Sequence, residues 1–74
     1  MRVTQETLPE LGELLYKKRK DMGLSQKKVA EKAGISHVTV CRIERGDVDS
    51  PCFVCIAGMC EAVGLEIVVQ EKAR

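Results

Sequence analysis

Within nine residues, His37 to Arg45, the chain sets out a histidine, a thiol and two arginines, with aliphatic and hydroxyl residues between them. His37, Val38, Cys41, Arg42 and Arg45 fall at i, i+1, i+4, i+5 and i+8, which places them on the exposed side of one helix. These groups are suited to binding. A guanidinium fork can bridge O6 and N7 of a guanine, an isopropyl group can rest on a thymine methyl, and an imidazole can donate to a base or a phosphate. Thr39, Arg45, Lys27 and Lys28 offer further donors of the kind that hold phosphates. A catalytic site lacks parts: there is a single histidine, no carboxylate cluster with a base, and no glycine-rich phosphate loop, so an enzyme is not expected.

Four cysteines, Cys41, Cys52, Cys55 and Cys60, raise a second chemistry. Cys52 and Cys55 have the two-residue gap of a zinc half-site or a redox dithiol. Tetrahedral zinc needs four ligands, and Cys60 falls in a core register while Cys41 belongs to the exposed helix face. No metal or other cofactor is therefore expected. The competing expectations are four reduced thiols and a Cys52–Cys55 redox switch at a helix start, where thiol pKa values fall.

The elements that must carry these residues are legible from caps and periodicity. Ser25 to Ala33 reads as a short helix capped by Ser25, with Val29, Ala30 and Ala33 on one face. Gly34 ends it, Ile35 fills the turn, and Ser36 caps a second helix that runs to about Arg45 and stops at Gly46. Ala30 is small where the two would cross, and Val29, Ala33, Ile35, Val40 and Ile43 point inward. That is the helix-turn-helix pattern, with the second helix carried outward as a probe.

Gly23-Leu24-Ser25-Gln26 and the run Gly34-Ile35-Ser36-His37-Val38-Thr39-Val40-Cys41-Arg42-Ile43-Glu44-Arg45-Gly46 resemble the phage-repressor and Cro family of helix-turn-helix proteins, the XRE family. The resemblance covers about residues 8 to 65. It implies double-stranded DNA as partner, with base contacts from His37, Val38, Arg42 and, on the same face, Cys41. It also implies a phosphate contact from Gln26, aided by the positive end of its helix. Lys27, Lys28, Ser36, Thr39 and Arg45 are weaker phosphate candidates, read from their own side chains. Arg19 matches an arginine that pairs with a glutamate late in the recognition helix, here Glu44, and such a pair suits bidentate hydrogen bonding. His37 and Val38 depart from the Gln, Ser or Arg common at the first two recognition positions, so no operator sequence carries over.

Seventy-four residues make one domain, and a chain this short buries only ~60% of its unfolded surface. The net charge of +1 hides a strong asymmetry. Residues 17–45 hold nine basic side chains against three acids, whereas residues 1–16 and 46–74 are net acidic. A positive middle suits a duplex on one side and protein contacts elsewhere. With no apolar run near ~20 residues and nothing resembling a signal peptide, a cytoplasmic, nucleoid-associated protein without membrane contact is expected.

Outside the central pair, residues 1–6 read as a flexible arm. Thr7 caps a first helix, with Pro9 in its first turn and Glu10 closing a capping box; its apolar stripe is Leu8, Leu11, Leu14, Leu15 and Met22. Gly46 to Pro51 reads as a loop, with Ser50 or Cys52 capping a further helix that repeats Phe53, Ile56, Ala57, Cys60 and Val63, Met59 beside them, and ends at Gly64. The expected core is Leu11, Leu14, Leu15, Val29, Ala33, Ile35, Val40, Ile43, Phe53, Ile56, Cys60 and Val63. Leu65 to Gln70 alternates like a strand, with Leu65, Ile67 and Val69 on one face and Val68 on the other. A lone strand leaves its backbone groups without partners, so the same strand of a second copy is the simplest mate; Arg2-Val3-Thr4 is the weaker alternative. This ending resembles HipB-type antitoxins within the family, where such a strand pairs across a dimer.

The expectation is thus an all-α, four-to-five-helix repressor-type domain over residues 7–64, with a dimerisation strand and tail over 65–74. Two functions compete: a homodimeric sequence-specific repressor on a palindromic operator, and an antitoxin that also holds a toxin protein. For the second, Val54 and Cys55 on the outer side of the fourth helix and the acidic last third are the candidate surface.

Overall fold

In the computed structural model, residues 4, 6–47, 52–68 and 71 are described, and among them the chain forms four helices and no strand. They are α1 (Leu8–Asp21), α2 (Gln26–Ala33), α3 (His37–Arg45) and α4 (Phe53–Ala62). α1 packs on α3, α2 packs on α4, and α2 meets α3 across a short turn.

Local chemistry explains where α2 and α3 begin and end. Ser25 Oγ accepts from the backbone N–H of Lys28 at 3.0 Å, and Ser36 Oγ accepts from that of Thr39 at 3.1 Å. Each satisfies one amide that a helix start leaves over, which contributes about 1 kcal/mol. Gly34 then turns left-handed, at φ 70° and ψ 33°. This lets Gly34 N–H reach the Glu31 carbonyl at 3.3 Å and Ile35 N–H reach the Ala30 carbonyl at 3.0 Å. Gly46 repeats the arrangement after α3, with Asp47 N–H on the Arg42 carbonyl at 3.0 Å. A side chain with Cβ pays a steric penalty in that conformation, so glycine sits at both turns.

The core gathers Leu8, Leu11 and Leu15 from α1, Val29 and Ala30 from α2, Val40 and Ile43 from α3, and Ile56, Met59, Cys60 and Val63 from α4 and its end. Leu24, Ala33, Ile35, Cys55, Ala62 and Leu65 pack around them, half-buried. Two helix crossings depend on glycines. A Cβ on Gly12 would lie 2.3 Å from the Ile43 carbonyl oxygen, so α1 and α3 touch backbone to backbone. A Cβ on Gly58 would lie 3.1 Å from the Ala33 Cβ at the crossing of α4 with α2.

Several sequence expectations need correction. Thr7 makes no side-chain cap bond: its backbone is already helical (φ −96°, ψ 0°), and its hydroxyl meets Thr4 instead, accepting from the Thr4 N–H at 2.8 Å. Phe53 is 65% exposed because it opens α4, ahead of the turns that α2 covers, although it shares the Ile56 face. Leu14 is half-buried and Met22, past the end of α1, is exposed, whereas Leu8, Ala30 and Met59 belong to the core. Residues 65–68 form no strand in this single chain; Leu65 packs on the core while Ile67 and Val68 are exposed. The remainder of the expected strand, at 69–70, lies outside the described residues. So do residues 1–3 and 5 of the expected arm, Arg2 and Val3 of the alternative strand partner, residues 48–51 of the loop, which include the cap candidate Ser50, and residues 72–74 of the tail. Cys52 occupies the N-cap position of α4 but closes no side-chain cap bond.

Candidate nucleic-acid interface

α3 is amphipathic in a simple way. Val40 and Ile43 face the core, while His37, Val38, Arg42 and Arg45 are exposed and Cys41 and Thr39 are half-buried. Val38, at 64% exposure, is an apolar side chain held in solvent on the leading turn. Ser36 is exposed, but its hydroxyl is engaged by Thr39, Oγ to Oγ1 at 2.8 Å. Lys27 and Lys28 are exposed on the first turn of α2, and Lys28 reaches Glu31 at 3.7 Å.

Behind that face lies a chain of polar side chains drawn from three helices. Arg19, on α1, is 6% exposed. Its Nε donates to Glu44 Oε2 at 2.7 Å, its Nη2 to Glu44 Oε1 at 3.1 Å, and its Nη1 to the Leu24 carbonyl at 2.9 Å. The Tyr16 ring lies under the guanidinium, 5.3 Å from its centroid to Cζ. A buried charge must be matched this closely, because leaving either partner alone in the interior costs far more than the pair contributes. Glu44 Oε1 also receives Gln26 Nε2 at 3.1 Å, and Gln26 Oε1 lies 3.0 Å from His37 Nε2. The first residue of α3 is thereby tied, through the first residue of α2, to the buried ion pair.

The starts of α2 and α3 also border an open cleft of about 560 Å3, lined by Lys20, Gly23, Leu24, Gln26, Lys27 and His37 among others. Cationic side chains and the amino end of α2 give it the charge that attracts an anion. The sequence-predicted residues divide accordingly. Gln26, Lys27 and His37 come together around the cleft; Val38 and Arg42 lie along the outside of α3; Thr39 is half-buried beside Ser36. Sequence reasoning missed the contacts of Gln26 with Glu44 and His37, and the support from Tyr16 and Leu24. A Gln at one helix start and a His at the next, eleven residues on, carry no signal of contact until the crossing of the helices is known.

Two short capped helices, a glycine turn and an exposed donor face make a complete helix-turn-helix unit. The sequence profile of the helix-turn-helix family matches residues 15–51, half of the chain. The chain belongs to the XRE-type helix-turn-helix family. Proteins of this family are DNA-binding transcriptional regulators, and that is the class of activity assigned to this helix-turn-helix protein. No curated protein sequence matches the chain. Among the described residues no helix is long and apolar enough to cross a membrane.

The cysteines of this helix-turn-helix protein are all free thiols, graded in burial: Cys52 exposed, Cys41 and Cys55 half-buried, Cys60 buried. The described residues bring no three potential metal ligands together. Cys52 is the N-cap residue of α4. The backbone N–H of Cys55 lowers its pKa most, the Cys55 thiol and the Val54 N–H adding to the effect. Burial raises the pKa of Cys55, with a further push from Cys52, and burial raises that of Cys60.

Proposed function

We propose that this protein is a sequence-specific repressor that binds a palindromic operator as a homodimer, with α3 in the major groove. The observation that carries the reading is the exposed face of His37, Val38 and Arg42 on a helix anchored from behind by the buried Arg19–Glu44 pair. A rigid mount matters because base edges are read through hydrogen bonds of narrow geometry. Arg42 bridges guanine O6 and N7, Val38 meets a thymine methyl, and Cys41 borders the same base step. Lys27, Lys28 and Arg45 take phosphates, joined by the remaining N–H of Gln26 at the cleft; Ser36 and Thr39 contribute through the α3 start. The dimer forms through residues 65–74, where exposed Ile67 and Val68, with Leu65 and Val69, pair with a second copy; residues 7–64 are the DNA-binding unit and residues 1–6 an arm. Such a protein works in the cytoplasm, on the nucleoid.

Selection of bound duplexes from a random-sequence pool tests this reading. A two-fold symmetric consensus with half-sites about one helical turn apart, ~34 Å, is the expected result. Equal recovery of all sequences at low salt would end it.

One observation favours a second reading, an antitoxin of the HipB type that also holds a toxin protein. Phe53 and Val54 stand 65% and 71% exposed beside half-buried Cys55 in the first turn of α4. Co-purification of a second protein that is lost in Phe53→Asp, with DNA binding intact, would select this reading.

A further inference from the structure

Hydrogen-bond polarity runs one way through the side chains behind α3. Arg19 carries only donors, so both Glu44 oxygens accept. Glu44 Oε1 takes a further bond from Gln26 Nε2, and this decides which way the Gln26 amide faces. The Gln26 Oε1 that remains lies 3.0 Å from His37 Nε2, and an amide oxygen can only accept. The histidine nitrogen therefore donates. A neutral imidazole has one ring proton, so it sits on Nε2 and leaves Nδ1 with a bare lone pair. His37 is exposed at the first position of α3, and its hydrogen bonding within the described residues ends at Gln26.

We propose that His37 reads its base as an acceptor: Nδ1 takes a hydrogen bond from the exocyclic amine of cytosine or adenine. Guanine and thymine present only acceptors at their polar major-groove positions, so they are rejected there. The proposal rests on the DNA-binding reading above and adds the chemistry that one operator position must have. Gln26 acts as a positioning residue, holding the ring and its tautomer through Glu44 and Arg19. A donor in place of Gln26 Oε1 would reverse the polarity. Lysine at position 26 can donate to both Glu44 and His37 Nε2, which moves the ring proton to Nδ1 and turns His37 into a donor that favours guanine or thymine.

His37 is the sole histidine of the chain, so its two ring nitrogens give an unambiguous 15N signature. In mildly alkaline buffer, the protein without DNA should show a protonated Nε2 and a bare Nδ1, and Gln26→Lys should show the opposite. Selection from a random-sequence duplex pool then maps the position whose preference disappears in His37→Ala. The parent should favour cytosine or adenine there by roughly fivefold, about the contribution of one hydrogen bond. Gln26→Lys should favour guanine or thymine at that position while the other positions keep their preferences; a thermal melt confirms that the variant is folded. A protonated Nδ1 in the parent, a parental guanine or thymine, or the same preference in Gln26→Lys each overturns the proposal. A parent that selects no sequence at all, with Nε2 still protonated, brings down the DNA reading and the base assignment together but leaves the hydrogen-bond chain standing.

Discussion

Arg19 and Glu44 meet as fork to fork, Nε to Oε2 at 2.7 Å and Nη2 to Oε1 at 3.1 Å, with side chains only 7% and 4% exposed. They join α1 to the end of α3, twenty-five residues apart, and set the pose of the exposed helix. Removing one member leaves a charge in the interior without its counterpart. Glu44→Ala should therefore lower unfolding stability by ~3–5 kcal/mol, and Arg19→Ala by a similar amount. The double variant Arg19→Met/Glu44→Leu should recover much of the loss, since well-packed apolar pairs of similar volume often equal buried ion pairs. Urea titrations of the three variants measure this; equal losses in single and double variants would contradict it.

Gly12 makes a prediction of opposite chemistry. Its missing Cβ is what lets α1 approach the carbonyl oxygens of Ile43 and Glu44, which a methyl would meet at 2.3 Å and 2.8 Å. Both obstacles are backbone, so neither can rotate away. Gly12→Ala should cost at least the ~1–3 kcal/mol of ordinary overpacking, although alanine is the better helix former. Gly58→Ala, facing Ala33 at 3.1 Å, should cost less. Melting temperatures of the two variants give the order.

For DNA, the two classes of contact separate by their response to sequence and salt. Arg42→Ala should lose ~1–3 kcal/mol on the selected sequence and relax one base pair. Lys27→Ala should weaken all sequences alike and reduce the salt slope by about one. Binding curves over a salt series on selected and scrambled duplexes distinguish these outcomes.

Thiol chemistry at the α4 start should be graded by position. The amide of Cys55 stabilises the Cys52 thiolate, and burial opposes the thiolates of Cys55 and Cys60. As pH rises, Cys52 should therefore be alkylated by iodoacetamide first and at the lowest pH, because the thiolate is the nucleophile. Cys55→Ser removes the weaker, side-chain contribution and should shift that midpoint only slightly. Peptide mass mapping across a pH series reads the order directly; faster labelling of Cys60 would refute the packing around it.

Dimerisation through the tail has a clean test if Leu65 is kept. Leu65 packs on the core, and its N–H bonds the Cys60 carbonyl at 2.7 Å, so a cut after Glu66 spares the fold and removes the rest of the tail. The shortened protein should sediment as a monomer and bind a half-site more weakly. If it dimerises at the parental concentration, another surface joins the two copies.

The limits of α2 and α3 were legible in the sequence because their causes are local. Ser25 and Ser36 reach amides three residues on, and Gly34 and Gly46 permit bonds that span five residues or fewer. The inward set Val29, Val40 and Ile43 follows from helical periodicity, and the outward set on α3 is its complement. What the tertiary structure decided is everything that depends on how helices cross. It put Gln26 between Glu44 and His37, pressed Gly12 onto the α3 backbone, and left Phe53 beyond the cover that its periodicity alone would grant. Caps and faces are set by neighbours a turn away, whereas contacts between side chains from separate helices depend on crossing angle and depth, which emerge only when the whole core is packed.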